Sequence, residues 1–252
     1  MDKTSRRTYI LDQLRQSGEV NVETLSEQLD TSEVTIRKDL SELELAGLAV
    51  RRHGGAVILP SELSSPNQDK KLSKRKIAIA RAAAQLLRDH NRVIVDSGST
   101  TAALIPEIGR RRGMVVMTNS LAVASALLEL ENEPTLLMTG GTWDKRSDSF
   151  QGSQAESVLR HYDFDQLYTG ADGIDLERGT CTYNELLGLS RSMAEVAREV
   201  IVLAESAKLS RKIPNLELAW SEIDVLVTDP DLPADQRSAI EAKGVRVVIA
   251  NE

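Results

Sequence analysis

Three stretches at the start of the chain carry apolar residues at helical spacing. The first covers residues 9–14 and stops at Gly18, and the second covers residues 22–29. The third follows Ser32, a suitable N-cap, and runs to Gly47, a residue type that commonly ends helices. Two short helices joined by a three-residue break predict a helix-turn-helix.

The segment that follows the third stretch has the pattern of a two-stranded hairpin. Its sequence is LAVRRHGGAVIL, residues 48–59, with β-branched residues on both sides of a Gly-Gly turn. A hairpin in this place is the wing of a winged helix-turn-helix. We therefore predict a small winged helix-turn-helix domain at residues 1–59.

The pattern changes completely after residue 59. Residues 60–73, PSELSSPNQDKKLS, lack periodicity and predict a linker. From residue 74 to residue 252, short apolar strands alternate with helical stretches, which predicts an α/β domain with a mainly parallel sheet. The predicted helices are 74–87, 101–109, 121–130, one near 183–198, and 234–242, and the predicted strands are 93–96, 114–118, 135–138, 167–170, 200–204, 224–228 and 245–249.

Composition narrows the class of protein. The net charge is −7 and aromatic residues make up 3% of the chain, so neither general coating of polyanions nor stacking on single-stranded bases is expected. The single cysteine, Cys181, rules out an intramolecular disulfide. No apolar segment suits a signal peptide or membrane span, so we expect a cytoplasmic protein without a membrane partner.

The start of the third helix and the wing hold the residues that would contact double-stranded DNA. Arg37 suits a bidentate contact to guanine or a phosphate contact, and Lys38 suits a phosphate contact. The other candidates are two hydroxyl residues near the helix start and three residues of the wing: Ser32, Thr35, Arg51, Arg52 and His53. The alternative is a three-helix module that binds another protein and whose basic residues form an ordinary solvated face.

Polar clusters follow successive predicted strands, and such clusters meet at one edge of a parallel sheet. The cluster DSGSTT, residues 96–101, offers backbone N–H groups and hydroxyls that suit a phosphate. Neither a Gly-Lys-[Ser/Thr] nor a Gly-x-Gly-x-x-Gly sequence is present there, which disfavours a nucleotide. The predicted effector-binding residues are Asp96, Gly98, Ser99, Thr100, Thr101, Thr118, Asn119, Gly140, Gly141, Gly170, Asp172, Asn184, Glu185 and Lys208.

The segment SEVTIRKDLSELELAGLAVRRHGGAVIL, residues 32–59, resembles the amino-terminal region of the DeoR family of bacterial transcription regulators. The family pattern is a Ser-x-x-Thr-Ile-Arg-x-Asp-Leu helix before an Arg-x-x-Gly-Gly-Ala wing. The resemblance implies operator DNA as a partner, a homodimer or homotetramer, and repression that a ligand relieves. It also implies that Asp39 is structural, since an acid facing phosphates would be repelled.

The second domain resembles the family's effector domain, which binds phosphorylated sugars or related metabolites. The motifs DSGSTT, MTNS, GADGID and NE are most similar to members that control galactitol, glucitol and N-acetylgalactosamine operons. Relatives usually carry Asp-[Ser/His]-Ser-Lys-Phe where this chain has residues 205–209. The departures are Glu205, Ala207 and Leu209, and they affect the contacts of this loop.

The same domain resembles ribose-5-phosphate isomerase, which makes a sugar-phosphate isomerase with an attached DNA-binding domain the alternative. In that alignment Glu185 matches the catalytic base and Asp172 the second acid. Thr169 and Leu176 replace an acid and a lysine that the isomerisation uses. We therefore expect binding without turnover and no catalytic residues. The scattered histidines and Cys181 predict no metal site, and no cofactor is expected.

Overall fold

The structure is a computed structural model and describes residues 1–46, 48–58, 72–211 and 213–251. The chain forms two compact units, one from its amino-terminal residues and one mainly from residues 72–211 and 215–251. The predicted linker at 60–73 lies outside the described residues except for Leu72 and Ser73. Among the described helices, none combines the length and the apolar character that a bilayer span requires.

The amino-terminal unit contains three helices and a three-stranded antiparallel sheet. The order along the chain is α1 (Lys3–Ser17), β1 (Glu19–Asn21), α2 (Val22–Gln28), α3 (Glu33–Leu45), β2 (Ala49–Arg52) and β3 (Gly55–Ile58). The side chains of Asp2, Asn21 and Ser32 each accept a hydrogen bond from a backbone N–H at a helix start, which satisfies otherwise unpaired donors.

The three apolar stripes of this unit pack into one core. Ile10 and Leu14 from α1 meet Ile36 and Leu40 from α3, with Leu25 from α2. The winged helix-turn-helix prediction is confirmed by this arrangement and by the β2–β3 hairpin. Helix α3 ends at Leu45, and Gly47 lies outside the described residues.

The sequence did not predict strand β1. It has only three residues and pairs antiparallel with β3, on the side away from β2. Gly55 allows this close pairing, since a Cβ atom there would lie 2.0 Å from the carbonyl oxygen of Val20. A three-residue strand is too short to show an alternating pattern.

The second unit is built on a seven-stranded sheet in which all neighbouring strands are parallel. The strands are β4 (Arg92–Val95), β5 (Val115–Thr118), β6 (Thr135–Met138), β9 (Phe164–Thr169), β12 (Ala197–Leu203), β14 (Val225–Thr228) and β15 (Arg246–Ile249). Their order across the sheet is β15-β14-β12-β9-β4-β5-β6. The predicted α/β class with a mainly parallel sheet is confirmed.

Helices cover this sheet. They are α4 (Lys74–Ala83), α5 (Ser99–Ala102), α6 (Ile105–Ile108), α7 (Leu121–Leu128), α8 (Ser153–Leu159), α9 (Gly188–Glu195) and α10 (Ala234–Glu241), with 3-10 turns at Ala84–Leu86, Ser206–Ser210 and Trp220–Glu222. Neighbouring residues of a strand point to opposite faces of the sheet, so they belong to different core clusters. On β4, Ile94 belongs to one cluster, and Val93 and Val95 belong to the other.

Two helix predictions in this unit were wrong in extent. The predicted helix at 101–109 is two four-residue helices, α5 and α6, with Pro106 in the first turn of the second. The helix predicted near 183–198 begins only at Gly188, because Tyr183 is buried in the preceding loop, where its backbone N–H donates to Asp172.

Five short strands were not predicted. They form the hairpin β7 (Thr142–Asp144) and β8 (Ser149–Gln151), and the antiparallel sheet of β10 (Gly173–Asp175), β11 (Gly179–Thr182) and β13 (Asn215–Ala219). Long-range pairing rather than local pattern creates β13, since its partner lies more than thirty residues earlier in the chain.

Candidate functional site

The proposed DNA-contacting residues of α3 lie at its amino-terminal end. Arg37 and Lys38 are exposed, and the hydroxyl of Thr35 lies 2.9 Å from that of Ser32. The backbone N–H of Thr35 also donates to the Ser32 hydroxyl, so this pair caps the helix. The guanidinium of Arg37 contacts Glu33 at 2.5 Å, and this exposed pair, one helical turn apart, contributes little to stability.

The wing carries Arg51, Arg52 and His53 as exposed residues. The Arg51 guanidinium donates to the hydroxyl of Ser41 at 2.7 Å, and Ser41 lies one helical turn after Arg37. The structure therefore brings Arg51 next to the exposed face of α3. Arg52 forms an ion pair with Glu19 of β1, a partner that the sequence did not identify.

Asp39 faces the interior of this unit. It is 1% exposed, and its two carboxylate oxygens accept from the Nε atoms of Arg6 and Arg7 at 2.5 and 2.9 Å. Two guanidinium groups compensate its charge, which a buried carboxylate requires. The prediction that Asp39 is structural is confirmed, and its position leaves the basic residues of α3 facing outward.

The second candidate site lies at the carboxyl edge of the seven-stranded sheet, with Asp96 at its centre. Asp96 follows β4 and is 8% exposed. Its carboxylate accepts from Asn119 after β5 at 2.9 Å, from Thr169 at the end of β9 at 2.9 Å, and from the backbone N–H of Ser97 at 2.7 Å. Burial raises the pKa of Asp96, against the opposing effect of these hydrogen bonds. The network fixes three neighbouring strand ends relative to one another.

The loop after β4 turns sharply at Gly98, whose φ of +141° suits glycine. Ser99 begins α5, and the half-buried ammonium of Lys76 on α4 donates to its hydroxyl at 2.9 Å. Thr100 is buried, and the Thr101 hydroxyl donates to the Gly98 carbonyl at 2.8 Å. The structure therefore adds a cation, Lys76, to the loop that the sequence associated with phosphate.

A sequence signal for Lys76 existed. It lies three and four positions before Ile79 and Ala80, on the face of α4 that the buried residues define. A lysine that continues an apolar stripe is placed to reach a buried or half-buried partner. This position could have been recognised from the pattern of α4 alone.

The loop after β5 contacts Asp96, and the loop after β6 follows the next strand of the sheet. The Thr118 hydroxyl is buried and accepts from the backbone N–H of Ser120 at 3.1 Å, and the Asn119 side chain also accepts from the Ser97 N–H. Gly140 and Gly141 have φ values of +64° and +106°. A Cβ at Gly141 would lie 2.6 Å from the carbonyl oxygen of Gln151, so only glycine fits there.

The loop after β9 contains Gly170, which is half-buried, and Asp172. The Asp172 carboxylate accepts from the Thr182 hydroxyl at 2.8 Å, while its backbone carbonyl accepts from Arg211 at 3.0 Å. Lys208 is half-buried, and its ammonium donates to the carbonyl of Ala171. The structure thus brings Asp172 and Lys208 together at one loop.

The remaining predicted residues lie in the segment before α9. Asn184 is half-buried; its carbonyl accepts from the side chain of Asn215 at 3.0 Å and its own side chain accepts from the backbone N–H of Leu186. Glu185 is exposed. Of the departures from the family pattern, Glu205 accepts from Ser73, Ala207 is exposed, and Leu209 packs against the core.

Glu217 on β13 is a residue that sequence reasoning missed. Its carboxylate accepts from the Ser190 hydroxyl at 2.8 Å. Burial raises its pKa to about 8, the charges of Asp96 and Asp172 add to the rise, and the Lys208 charge opposes it. An acid between Leu216 and Leu218 in a short strand reads as an ordinary solvent-facing position, so the local sequence gave no signal.

Cys181 is buried, and burial raises the pKa of its thiol. Within the described ranges, the histidines, cysteines and acids form no group of three or more that could hold a metal ion. The sites are therefore built from hydroxyls, amides, carboxyls and a few cations.

Each of the two units matches a known protein family. Residues 6–62 match the DeoR-like helix-turn-helix domain, and residues 71–230 match the DeoR C terminal sensor domain. A protein of Escherichia coli O157:H7, provisionally named as an aga operon transcriptional repressor, is 41% identical over 99% of this chain and 94% of its own length. The lactose phosphotransferase system repressor of Lactococcus lactis subsp. lactis is 32% identical over 91% of this chain and 92% of its own.

Among solved structures, ribose 5-phosphate isomerase A from Methanocaldococcus jannaschii is similar over 54% of both chains, with 21% identity and a TM-score of 0.41. The family matches cover both units, and the relatives align over nearly their whole length. The chain belongs to the DeoR family of transcriptional regulators.

Proposed function

We propose that this regulator represses a sugar or polyol utilisation operon and that a phosphorylated sugar or polyol releases it from operator DNA. The observation that carries the proposal is the Asp96 network, which joins the ends of β4, β5 and β9 at the edge where parallel sheets bind ligands. The names of the two relatives, an aga operon repressor and a lactose phosphotransferase system repressor, support the sugar class.

The phosphate of the effector binds at the loop of residues 97–101. Ser99 and Thr100 supply hydroxyls there, and Lys76 supplies the positive charge. Helix α5 has only four residues, so its dipole adds little, and a charge-assisted hydrogen bond from lysine is the stronger contribution. The hydroxyls of the sugar or polyol face Asp172, Asn184, Glu185 and Lys208.

DNA binding uses α3 and the wing. Arg37 contacts a base or a phosphate from the start of α3, and Lys38, Arg51, Arg52 and His53 contact the backbone. Replacing the Arg37–Glu33 pair by a contact between Arg37 and a phosphate costs little free energy, because exposed ion pairs contribute little to stability. Ser32 and Thr35 present hydroxyls whose first role is to cap the helix.

We also propose how the chain is organised, with a DNA-binding domain at residues 1–59, a linker at residues 60–73 and an effector domain at residues 74–252. The regulator acts in the cytoplasm as a homodimer or homotetramer. A two-fold operator matches such an assembly. A population shift from 1:99 to 99:1 requires about 5.5 kcal/mol of differential ligand affinity, more than one contact supplies, so several loops must share the effect.

Among the comparisons, the isomerase alternative has only a distant similarity of fold, with 21% identity over 54% of each chain. The two altered positions have other partners in this structure. The Thr169 hydroxyl donates to Asp96, and Leu176 packs against the core. Both residues serve the architecture of the edge rather than proton transfer.

The test begins with DNA that the purified full chain selects from a random duplex library. Arg37→Ala should weaken binding to this DNA at least about tenfold, which corresponds to about 1.4 kcal/mol. Arg81→Ala, in the second unit, is the control. A panel of sugar and polyol phosphates should include compounds that raise the melting temperature and release the DNA. If Arg37→Ala binds DNA normally, the α3 assignment is wrong; if no phosphate releases it, the effector class is wrong.

A further inference from the structure

A bulge in the small antiparallel sheet sets the direction of the Glu217 side chain. Strands β11 and β13 pair Thr180 with Leu218 and Cys181 with Leu216, so Glu217 is the extra residue. Bulges re-aim a side chain and are common beside functional sites. Leu218, the next residue, is fully buried in the core, whereas the Glu217 carboxyl accepts a hydrogen bond from Ser190 on α9.

The surroundings of Glu217 place it among the predicted effector-binding residues. Strand β11, its partner, ends at Thr182, whose hydroxyl donates to Asp172. Two residues before Glu217 on β13, the Asn215 side chain donates to the carbonyl of Asn184 at 3.0 Å, and Asn215 pairs with Thr182. The strand that carries Glu217 is therefore joined to two of the proposed effector loops, those that contain Asp172 and Asn184.

We infer that Glu217 is a further effector-binding residue, which donates a hydrogen bond from its carboxyl to an oxygen of the bound sugar or polyol phosphate. The inference rests on the proposed function and deepens it. Ser190 on α9 donates to one carboxyl oxygen, which leaves the other for the ligand. The backbone carbonyl of Glu217 accepts from Arg191 at 3.4 Å, and this contact anchors the bulge to α9.

The charge state follows from the neighbours. Burial and the charges of Asp96 and Asp172 raise the pKa of Glu217 to about 8, and Lys208 opposes them, so the carboxyl is protonated at neutral pH. Cys181 on β11 lies on the paired strand, and burial raises the pKa of its thiol above the ordinary value, so it carries no charge at neutral pH. A protonated carboxyl can donate to a sugar oxygen, whereas an ionised one between two other acids would repel an anionic ligand.

A pH dependence follows with a defined sign. Affinity should be full at neutral pH and fall as Glu217 loses its proton above about pH 8. Above pH 8, the affinity should decrease by close to about tenfold per pH unit. Near pH 9.5 it should be about thirtyfold lower than at neutral pH. The second ionisation of a phosphate ester lies near pH 6, so the ligand itself does not titrate in this window.

The experiment measures, by calorimetry on the full chain, the binding of glucitol 6-phosphate and galactitol 1-phosphate between about pH 7 and pH 9.5. Glu217→Gln keeps a donor without a titrating proton. It should bind within about threefold of the unmodified chain at pH 7 and lose the fall above pH 8. Glu217→Leu should bind about tenfold more weakly or worse at pH 7, since it lacks the donor. Glu199→Gln, a half-buried acid at the opposite edge of the sheet, is the matched control.

Each remaining outcome decides the inference. If Glu217→Leu binds with unchanged affinity, or if Glu217→Gln keeps the fall above pH 8, Glu217 does not contact the ligand. If Glu217→Leu fails to fold, the pH profile of Glu217→Gln decides alone. If neither compound binds the unmodified chain while other phosphates in the release panel do, those phosphates replace them as probes in the same comparison. If no phosphate binds, the proposed function and this inference both fail.

Discussion

Asp39 in the amino-terminal unit and Asp96 in the sensor unit are both buried, with 1% and 8% of their surfaces exposed, but their partners differ. Two arginines contact Asp39, whereas an amide, a hydroxyl and a backbone N–H contact Asp96. Because the two arginines compensate the charge of Asp39, the ion pairs hold α1 against α3 and the carboxylate offers no free oxygen to a ligand. Asp96 contacts only neutral donors and joins three strand ends at a sheet edge, where we propose that a ligand bridges the loops.

The largest effect is expected at Asp39. Asp39→Asn leaves two guanidinium groups without their carboxylate, and breaking a buried pair costs about 3 to 5 kcal/mol. The amino-terminal unit should unfold at lower denaturant concentration and lose DNA binding, while effector affinity stays unchanged. Asp12→Asn, which removes an exposed pair with Arg15, is the control and should change little. Equal stability of the two variants, measured by urea unfolding, would refute the structural role of Asp39.

Asp96→Asn should separate binding from stability. The amide cannot accept from all the donors that Asp96 satisfies, so the strand ends shift and effector affinity should fall about a hundredfold, or about 2.8 kcal/mol. The stability loss should be smaller, about 1 kcal/mol, as for one lost hydrogen bond. Calorimetry, urea unfolding and operator titration give the three values. If effector binding is unaffected, Asp96 does not organise the site.

Lys76→Met should weaken binding of a polyol phosphate about tenfold and leave binding of the unphosphorylated polyol unchanged. Methionine keeps the apolar stem and removes the charge. The loss should shrink as salt rises, because part of the contact is screened. Lys74→Met, on the exposed surface of the same helix, is the control. A loss that is equal for both polyols would mean that Lys76 acts on the fold rather than on the phosphate.

The smallest effect concerns stability and pH. Glu217 takes up a proton on folding between its usual pKa of 4.5 and about 8, so the free energy of unfolding should fall as pH rises through this window. Glu217→Gln should make this decrease in the free energy of unfolding smaller by on the order of 1 kcal/mol. This value is below the full equivalent of the pKa shift because the side chain is partly solvated. Urea unfolding at several pH values between these limits measures it. An unchanged slope would show that Glu217 does not stay protonated in the folded chain.

Local pattern was sufficient for much of this architecture. Ser32 caps α3 as expected, and the polar loops follow strands of a parallel sheet, so their shared edge could be deduced from strand direction alone. The contacts that define the sites were less accessible. Arg6 and Arg7 reach Asp39 from more than thirty residues away, and Glu217 enters the edge through a bulge whose register no local sequence encodes. The predicted assignments of the individual effector and DNA contacts stay predictions.

The opposite edge of the sheet offers a rival location for a ligand. A cleft of about 260 Å³ lies there at the start of β4 and β9, lined by Arg92, His161, Tyr162, Asp163, Phe164, Asp165 and Arg198. Its cations already have partners: Arg92 stacks over the Phe164 ring and donates to a backbone carbonyl, and Arg198 lies 3.9 Å from Asp165. The Asp165 carboxylate also accepts from the backbone N–H of Arg92 at 2.8 Å, so charged groups of this cleft already contact one another, and we propose the carboxyl edge for the effector.

Hydrogen–deuterium exchange of the full chain, with and without a polyol phosphate that releases DNA, compares the two edges directly. We expect slower exchange in the loops at residues 96–101, 118–120 and 170–173, with no change at residues 161–165. Protection at residues 161–165, or none at the loop that begins with Asp96, would contradict this expectation.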